Sequence, residues 1–582
     1  MQPSFHSLRG LFSLSNWTSK SAPDHKATAE PVPHNGLQQR LKDLSPTINE
    51  ILRISGTAGA SVGVLHSNEV VYTANFGYRD VEEETPPDQD TIYYIASLSK
   101  FMTAAGIGKL VEDGKLQWTD LVSTALPDFQ HRDAHIRTHA TIIDILSHRT
   151  GLAQKMHAWM GEHSRPQVTG HAFTKTTTYL EPVSKLRSTF ISNNWLYGLA
   201  AQIIERSSGQ KFSEFIESNF FEPLGMHRTQ IHGGIANLDN IAEAYMYDEG
   251  SPYPVGKPPI DSDSAMEGAV GVKSSVRDLL KYYKAFLNAR KQQQDCRCTS
   301  TDDYPFKQVH ELLTERVMMD DLPAQIDNTS YALGWAMVRL PAALGSLGGN
   351  ADLVKKMPRI GQGLPVKPTV LYHAGSLVGY LSSILLLPET NSAIVVLVNT
   401  LANQDSADWI GQAFLEALLD VPRPHDFVHL ANEARDTYTN LFPKMHRALS
   451  QGHSRGTLTR SLHCYEGQFE NAVGTFIMDV YVLDSELYLS LNGYRKEKHR
   501  LHHYHGDTLS FEMSYLDCLK REMWPKSYKD YYLLDFVLDE DEDITGIIWR
   551  PDWAVPQGEL FIKRETKHVT GKGVCDKTMS EL

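Results

Sequence analysis

Apolar and polar positions divide this chain into two stretches with different rhythms. Up to Pro422, short apolar runs alternate with longer segments of helical spacing. Ala60 to Val71 and Tyr72 to Arg79 read as an opening strand hairpin, and Tyr331 to Trp335, Val370 to Tyr372, Leu381 to Leu387 and Ala393 to Val398 as later strands. Thr91 to Ala96 is an apolar and aromatic run that feeds a helix from Phe101 to Val111, stopped by Asp113-Gly114. After Pro422-Arg423-Pro424 comes one helical stretch, Phe427 to Leu449, a polar break at Ser450 to Gly456, and then short alternating segments: Val473 to Leu483, Leu487 to Leu491, Leu509 to Met513, Tyr532 to Val537, Gly546 to Arg550 and Leu560 to Ile562. Short strands separated by turn residues predict a small β-barrel or sandwich. The pattern predicts an α/β catalytic part followed by an all-β domain.

The 582 residues are too many for one ordinary domain, and 41% hydrophobic content supports large cores. The expected divisions are a disordered leader over 1–36, a catalytic domain over 37–425, a helical linker over 426–460, a β-barrel over 461–566 and a tail over 567–582. A formal charge of −14 argues against nucleic acid or anionic membranes as partners. No run of 18 or more apolar residues occurs, so no helix is expected to span a membrane. The leader has no apolar signal core; a transit peptide is its alternative reading. The five cysteines, Cys296, Cys298, Cys464, Cys518 and Cys575, are odd in number and read as free thiols of a reducing, cytoplasmic compartment. His499, His502, His503 and His505 alternate as exposed barrel residues do and lack a partner at metal-ligand spacing. No metal or cofactor is expected, and the oligomeric state is not legible.

The candidate chemistry is Ser97-Leu98-Ser99-Lys100, a Ser-x-x-Lys at the strand-to-helix junction. Three residues is close to one helical turn, so both side chains lie on one face. A lysine held beside a serine in a partly desolvated pocket can take its proton and activate it as a nucleophile. Further motifs follow in order: Leu146-Ser147-His148-Arg149-Thr150-Gly151-Leu152, Phe221-Glu222-Pro223-Leu224-Gly225-Met226, Gly271 to Ser275 leading to Asp278-Leu279, Tyr331-Ala332-Leu333-Gly334-Trp335, and His373-Ala374-Gly375-Ser376. Together they resemble the class C β-lactamase and penicillin-binding-protein superfamily, with its serine esterases and D-peptidases, from about Leu37 to Pro422.

That resemblance implies a β-lactamase/transpeptidase-like fold with a helical part inserted between the first and last strands, and a site between the two parts. The C-terminal segments resemble the lipocalin-like domain appended to some relatives, which can cap the site or mediate assembly. The family's esterases carry Tyr-x-Asn at their second motif; counting back from Tyr197 puts Ser192 and Asn194 there. Losing the phenol shifts the role of base to Lys100, with Ser192 as proton relay. The resemblance further implies backbone N–H groups of Ser97 and Ser376 as the oxyanion hole, Asn194 hydrogen-bonded to Lys100 and substrate, and His373 where penicillin-hydrolysing relatives have lysine. A neutral histidine favours ester or amide substrates over a dedicated β-lactam. Gly375 and Trp159 are expected to contact substrate. Trp159 lies in a long aperiodic segment, Ala153 to Tyr179, expected over the site; Gly345 to Lys367 is expected opposite. Three functions stay open: a serine hydrolase of a small-molecule or peptide acyl substrate, an acyltransferase in small-molecule biosynthesis, and a catalytically silent binding or scaffold protein.

Overall fold

The computed structural model describes residues 35–168, 170–231, 238–260, 266–319, 329–454, 458 and 460–564. The leader expected over 1–36 lies outside these residues apart from positions 35 and 36, where the helix Asn35–Asp43 starts. The tail expected over 567–582 lies wholly outside them.

The opening hairpin forms, with its turn earlier than the pattern suggested. Strands β1 (Gly59–His66) and β2 (Glu69–Gly77) meet at Ser67-Asn68, both with positive φ, the geometry a two-residue hairpin turn requires. Val70 and Val71 therefore belong to the second strand. Strands β3 (Val317–Met318), β4 (Ser330–Tyr331), β5 (Ala336–Arg339), β6 (Thr369–Leu377), β7 (Tyr380–Leu387) and β8 (Ser392–Val398) complete an eight-stranded sheet. Its order is β2-β1-β8-β7-β6-β5-β4-β3, antiparallel throughout. Ala60 opposite Val398 joins the two ends of the N-terminal part, so the helices between β2 and β3 are an insertion.

Helices α1 (Ser45–Ser55), α2 (Ser99–Glu112), α3 (Met156–Trp159), α4 (Asn194–Ser208), α5 (Glu267–Val270), α6 (Val276–Cys296) and α7 (Ser406–Leu419) organise two cores. One lies between the sheet and α1 and α7. The other runs from α2 and α4 through the segment around Trp159 and Phe173 into the C-terminal domain. The Gly345 to Lys367 segment packs on α7, where Asn350 Nδ2 donates to Asp405 O and Asp408 Oδ2, both 2.9 Å.

Asn440 divides the expected single linker helix into α8 (Phe427–Thr439) and α9 (Leu441–Gly452). The C-terminal sheet has nine strands: β9 (Gly467–Glu470), β10 (Ile477–Leu483), β11 (Glu486–Leu491), β12 (His499–Arg500), β13 (His502–His505), β14 (Thr508–Ser510), β15 (Leu533–Leu538), β16 (Ile544–Trp549) and β17 (Glu559–Lys563). Its order is β12-β11-β10-β9-β17-β16-β15-β14-β13, so the two edge strands are neighbours in the chain and the sheet curls into a nearly closed barrel.

Cys296, Cys298 and Cys464 correct the expectation of free thiols, Cys518 meets it, and Cys575 lies outside the described residues. Arg297 adopts a left-handed conformation at the end of α6, folding Cys296 and Cys298 to a Cα–Cα distance of 5.3 Å, and they form a disulfide. Cys464 is disulfide-bonded as well, and Cys518 is a buried free thiol. These residues give no support to a reducing compartment. Among the described residues no helix is long and apolar enough to cross a membrane. The histidines are not uniformly exposed either: His499 is buried against Glu162, 2.8 Å from Nε2 to Oε1.

Candidate active site

Ser97 sits in a one-turn 3-10 segment, Ala96–Leu98, that runs directly into α2. Ala96 has φ +49°, a costly conformation for a residue with a Cβ, and backbone strain of this kind clusters at functional sites. Three contacts hold the turn. Ser99 Oγ donates to Ala96 O at 2.7 Å, Ser382 Oγ to Ile95 O at 2.8 Å, and Ile95 N–H to Val272 O at 3.1 Å. Gly375 passes so close beneath that a Cβ there would stand 2.5 Å from Ile95 O. The glycine of the His-Ala-Gly-Ser motif thus has a packing reason: strand β6 must touch the turn that carries Ser97.

Lys100 Nζ lies 2.8 Å from Ser97 Oγ and 3.3 Å from Ala269 O, with the face of Tyr197 5.6 Å away. Its side chain is buried and no carboxylate accompanies these partners, so burial brings the ammonium down from 10.5 to about 7. Near neutrality a large share of the amine is unprotonated and its lone pair is available to the Ser97 hydroxyl.

His373 is buried on β6. Its Nδ1 is 2.7 Å from Ala374 O, an acceptor only, so Nδ1 carries the proton and Nε2 accepts from Tyr331 O–H at 3.2 Å. Burial, with the charge of Lys100 adding to it, brings the imidazole down to about 3. His373 is therefore neutral, and both its nitrogens are engaged within the protein. Ser376, three residues on, is exposed at the end of the same strand.

His148 braces the second motif. Its carbonyl accepts from Ile191 N–H at 2.8 Å and its Nδ1 from Asn193 N–H at 3.0 Å, so Ser192 is bracketed on both sides. Burial, followed by Lys100 and His373, keeps His148 well below the ordinary imidazole range. His148, Tyr197, Phe190 and Tyr331 pack ring against ring, with centroids 5.0–5.4 Å apart. Ser192 is half-buried, and its hydroxyl engages no other group among the described residues. Asn193 caps α4 by accepting from Trp195 N–H at 3.0 Å, and Asn194 is the first residue of the helix. The expected hydrogen bond from Asn194 to Lys100 is replaced: Asn194 Nδ2 donates to Met156 Sδ at 3.6 Å, and Ala269 O accepts from Lys100.

Trp159 is 2% exposed and belongs to the core, not to an open surface. The segment does reach the site, through Met156 three residues earlier. Tyr331, His148 and Met156 are the neighbours that motif reading did not single out. The first two were visible as motif residues but carried no spacing signal for a role. A methionine in an aperiodic segment carries none at all.

Helix α2 and strand β6, which frame this site, lie inside the stretch matched by a family model described as Beta-lactamase, residues 44–417. A second model, a domain of unknown function (DUF3471), matches residues 454–564. That match gives the barrel no lipocalin designation. Unguisins hydrolase ungD of Aspergillus violaceofuscus is 27% identical over 279 residues, 46% of this chain and 47% of that protein. Unguisins hydrolase ungD' of Aspergillus campestris is 24% identical over 388 residues, 65% of each. Penicillin-binding protein 4* of Bacillus subtilis is 29% identical over 220 residues, 36% of this chain and 46% of that one. The matches thus span from about half to just under two thirds of these relatives. The solved octameric penicillin-binding protein homologue from Pyrococcus abyssi covers 90% of this chain and 100% of its own at TM-score 0.52 and 22% identity, a likeness of fold. With Ser97, Lys100 and His373 all inside a match that covers more than half of the residues, this chain belongs to the Beta-lactamase family.

Proposed function

We propose that this protein is a serine hydrolase that cleaves an ester or amide through an acyl-enzyme on Ser97. The observation that carries the reading is Lys100 Nζ, 2.8 Å from Ser97 Oγ and brought to about 7 by burial. In the forward step Lys100 takes the hydroxyl proton as Ser97 Oγ bonds to the substrate carbonyl carbon. The ester or amide bond then breaks, and the leaving group receives a proton from Lys100, directly or through Ser192. Water repeats the sequence on the acyl-enzyme and releases the acid. Backbone N–H groups of Ser97 and Ser376 are the proposed donors to the oxyanion; such a donor is worth on the order of 100–1,000-fold in rate.

Neutral His373 supports acyl groups that do not present a carboxylate at that strand, because an imidazole at about 3 offers no counter-charge. Both Aspergillus relatives are hydrolases by name, which supports hydrolysis over transfer to an acceptor. The test is turnover of p-nitrophenyl acetate and a peptide anilide by wild type and Ser97→Ala, with released acid measured alongside the chromophore. Equal amounts of acid and chromophore, lost in Ser97→Ala, are expected. Chromophore without free acid in the presence of an alcohol or amine indicates acyl transfer, and turnover surviving in Ser97→Ala overturns the assignment of the nucleophile.

A further inference from the structure

The segment from Leu152 to Gln167 is gripped from two sides. On the site side, Asn193 Nδ2 donates to Leu152 O at 3.2 Å and Ala153 O at 2.9 Å, and Trp195 Nε1 to Gln154 O at 2.9 Å. From Lys155 onward the grip passes to the C-terminal barrel. Lys155 N–H donates to Asp552 Oδ2 at 3.0 Å and its Nζ to Glu559 Oε1 at 2.6 Å. The His157 ring enters the barrel and meets Trp549 and Phe476 edge-on, with centroids 4.8 and 5.6 Å away. Buried Glu162 takes both Nη1 contacts of Arg521 at 2.8 Å and lies 2.8 Å from His499 Nε2. His163 N–H donates to Arg521 O at 2.8 Å, and Arg165 pairs with Glu497.

Lys155, His163 and Ser164 all have left-handed backbones, with φ of 43°, 51° and 53°. Such conformations in residues with a Cβ persist only where surrounding contacts over-determine them. Here the contacts at Lys155 and His163 come from the barrel. Between the two grips stands Met156. Its sulfur accepts from Asn194 Nδ2 at 3.6 Å, while its side chain lines a cavity shared with Phe511, Tyr531 and Trp549 of the barrel.

We infer that the C-terminal barrel is a positioning part of the active site: by holding Lys155 and Glu162 it sets Met156 against Asn194, and Met156 is a specificity-determining residue for the substrate beside it. The inference rests on the Ser97 hydrolase reading and adds a partner within the same chain. The barrel acts by shaping the wall of the site; Ser97 and Lys100 lie on α2 and its entry turn, which are held by other contacts.

The test uses the full chain with Glu162→Gln, Asp552→Asn, Met156→Ala, and the double variant Glu162→Gln/Met156→Ala. Two readouts are taken: the rate at which a small fluorophosphonate labels Ser97, and kcat and KM on p-nitrophenyl acetate and p-nitrophenyl octanoate. Labelling within about twofold of wild type is expected for Glu162→Gln and Asp552→Asn. The octanoate-to-acetate ratio of kcat/KM should change at least fivefold in Met156→Ala, mainly through KM, and in the same direction in Glu162→Gln and Asp552→Asn. The double variant should show no more than the Met156→Ala change, because Glu162 acts through Met156. Unchanged selectivity in Met156→Ala, or changes that multiply in the double variant, overturns the inference. If Glu162→Gln fails to fold, Asp552→Asn and Met156→Ala decide by the same criteria. Wild type that Ser97-directed probe does not label overturns the hydrolase reading itself, a result distinct from selectivity failing on a labelled enzyme.

Discussion

Replacing Lys100 with methionine should yield a protein that is more stable at neutral pH and inactive. Burial moves the lysine from 10.5 to about 7. At about 1.36 kcal/mol per pH unit, this corresponds to roughly 4–5 kcal/mol against the ammonium inside the fold. Methionine has similar reach and no charge, but it leaves the Ala269 carbonyl, 3.3 Å from Nζ, without its donor. That loss costs about 1–3 kcal/mol, so a net gain of about 2 kcal/mol is expected at pH 7. The pH dependence has a definite sign. The folded value lies below the unfolded one, so the wild type gains stability as pH rises from 7 towards 10.5 and loses it as pH falls towards 7. The variant lacks this slope, and its advantage should shrink by about 2 kcal/mol between pH 7 and 9. Urea unfolding of both proteins at the two pH values, followed by tryptophan fluorescence, measures the difference. A variant no more stable than wild type at pH 7, or an advantage that does not change at pH 9, refutes the reading of Lys100 as a near-neutral buried base.

The remaining predictions concern the same site. Acylation of Ser97 should rise with pH through about 7 and level off above it, since the neutral amine is the active form; stopped-flow labelling from pH 5.5 to 9 checks this, and a flat profile counts against it. Tyr331→Phe removes the donor to His373 Nε2; at about 1 kcal/mol for one hydrogen bond, kcat/KM on p-nitrophenyl acetate should fall roughly fivefold with the fold intact by circular dichroism. Gly375→Ala drives a Cβ to within 2.5 Å of Ile95 O; overpacking of this kind costs about 1–3 kcal/mol, and labelling of Ser97 should fall by more than tenfold as the turn shifts. Asp144 is buried and accepts from Arg149 Nε at 2.6 Å and Arg187 Nη2 at 2.8 Å. Asp144→Ala should therefore destabilise the protein by about 3 kcal/mol in urea unfolding.

Features set by local chain chemistry were legible in the sequence. The Ser97 turn, the helix after it and the later strands could be read because apolar runs, a C-terminal glycine and a motif within one helical turn all act over a few residues. The barrel was legible as a series of short strands, with the alternating histidines of its closing strands β12 and β13 read as barrel residues, but the four-residue β9 was not. The hairpin turn was misplaced because Val70 and Val71 continue an apolar run past it, whereas Ser67-Asn68 makes the turn through left-handed backbone. The free-thiol expectation held at Cys518 and failed at Cys296 and Cys298, because a Cys-Arg-Cys spacing says nothing about the left-handed Arg297 that brings the sulfurs together. At the site, Ser97, Lys100 and His373 could be found by motif. Tyr331 at His373, His148 around Ser192 and Met156 at Asn194 arise from contacts over 38 to 45 residues of chain, which no local pattern encodes. Gly375 was read as a substrate contact, and the structure adds a close approach between β6 and the Ser97 turn that no local pattern encodes.

The most direct test of the central claim is the intact mass of the protein after incubation with a fluorophosphonate probe, for wild type and for Ser97→Ala. A single adduct on wild type alone, mapped to the peptide that carries Ser97, is the predicted result; it would establish Ser97 as an activated nucleophile in a chain that has Ser192 in place of the family's tyrosine. A folded wild type that gains no mass, or an adduct that persists in Ser97→Ala, would contradict the account.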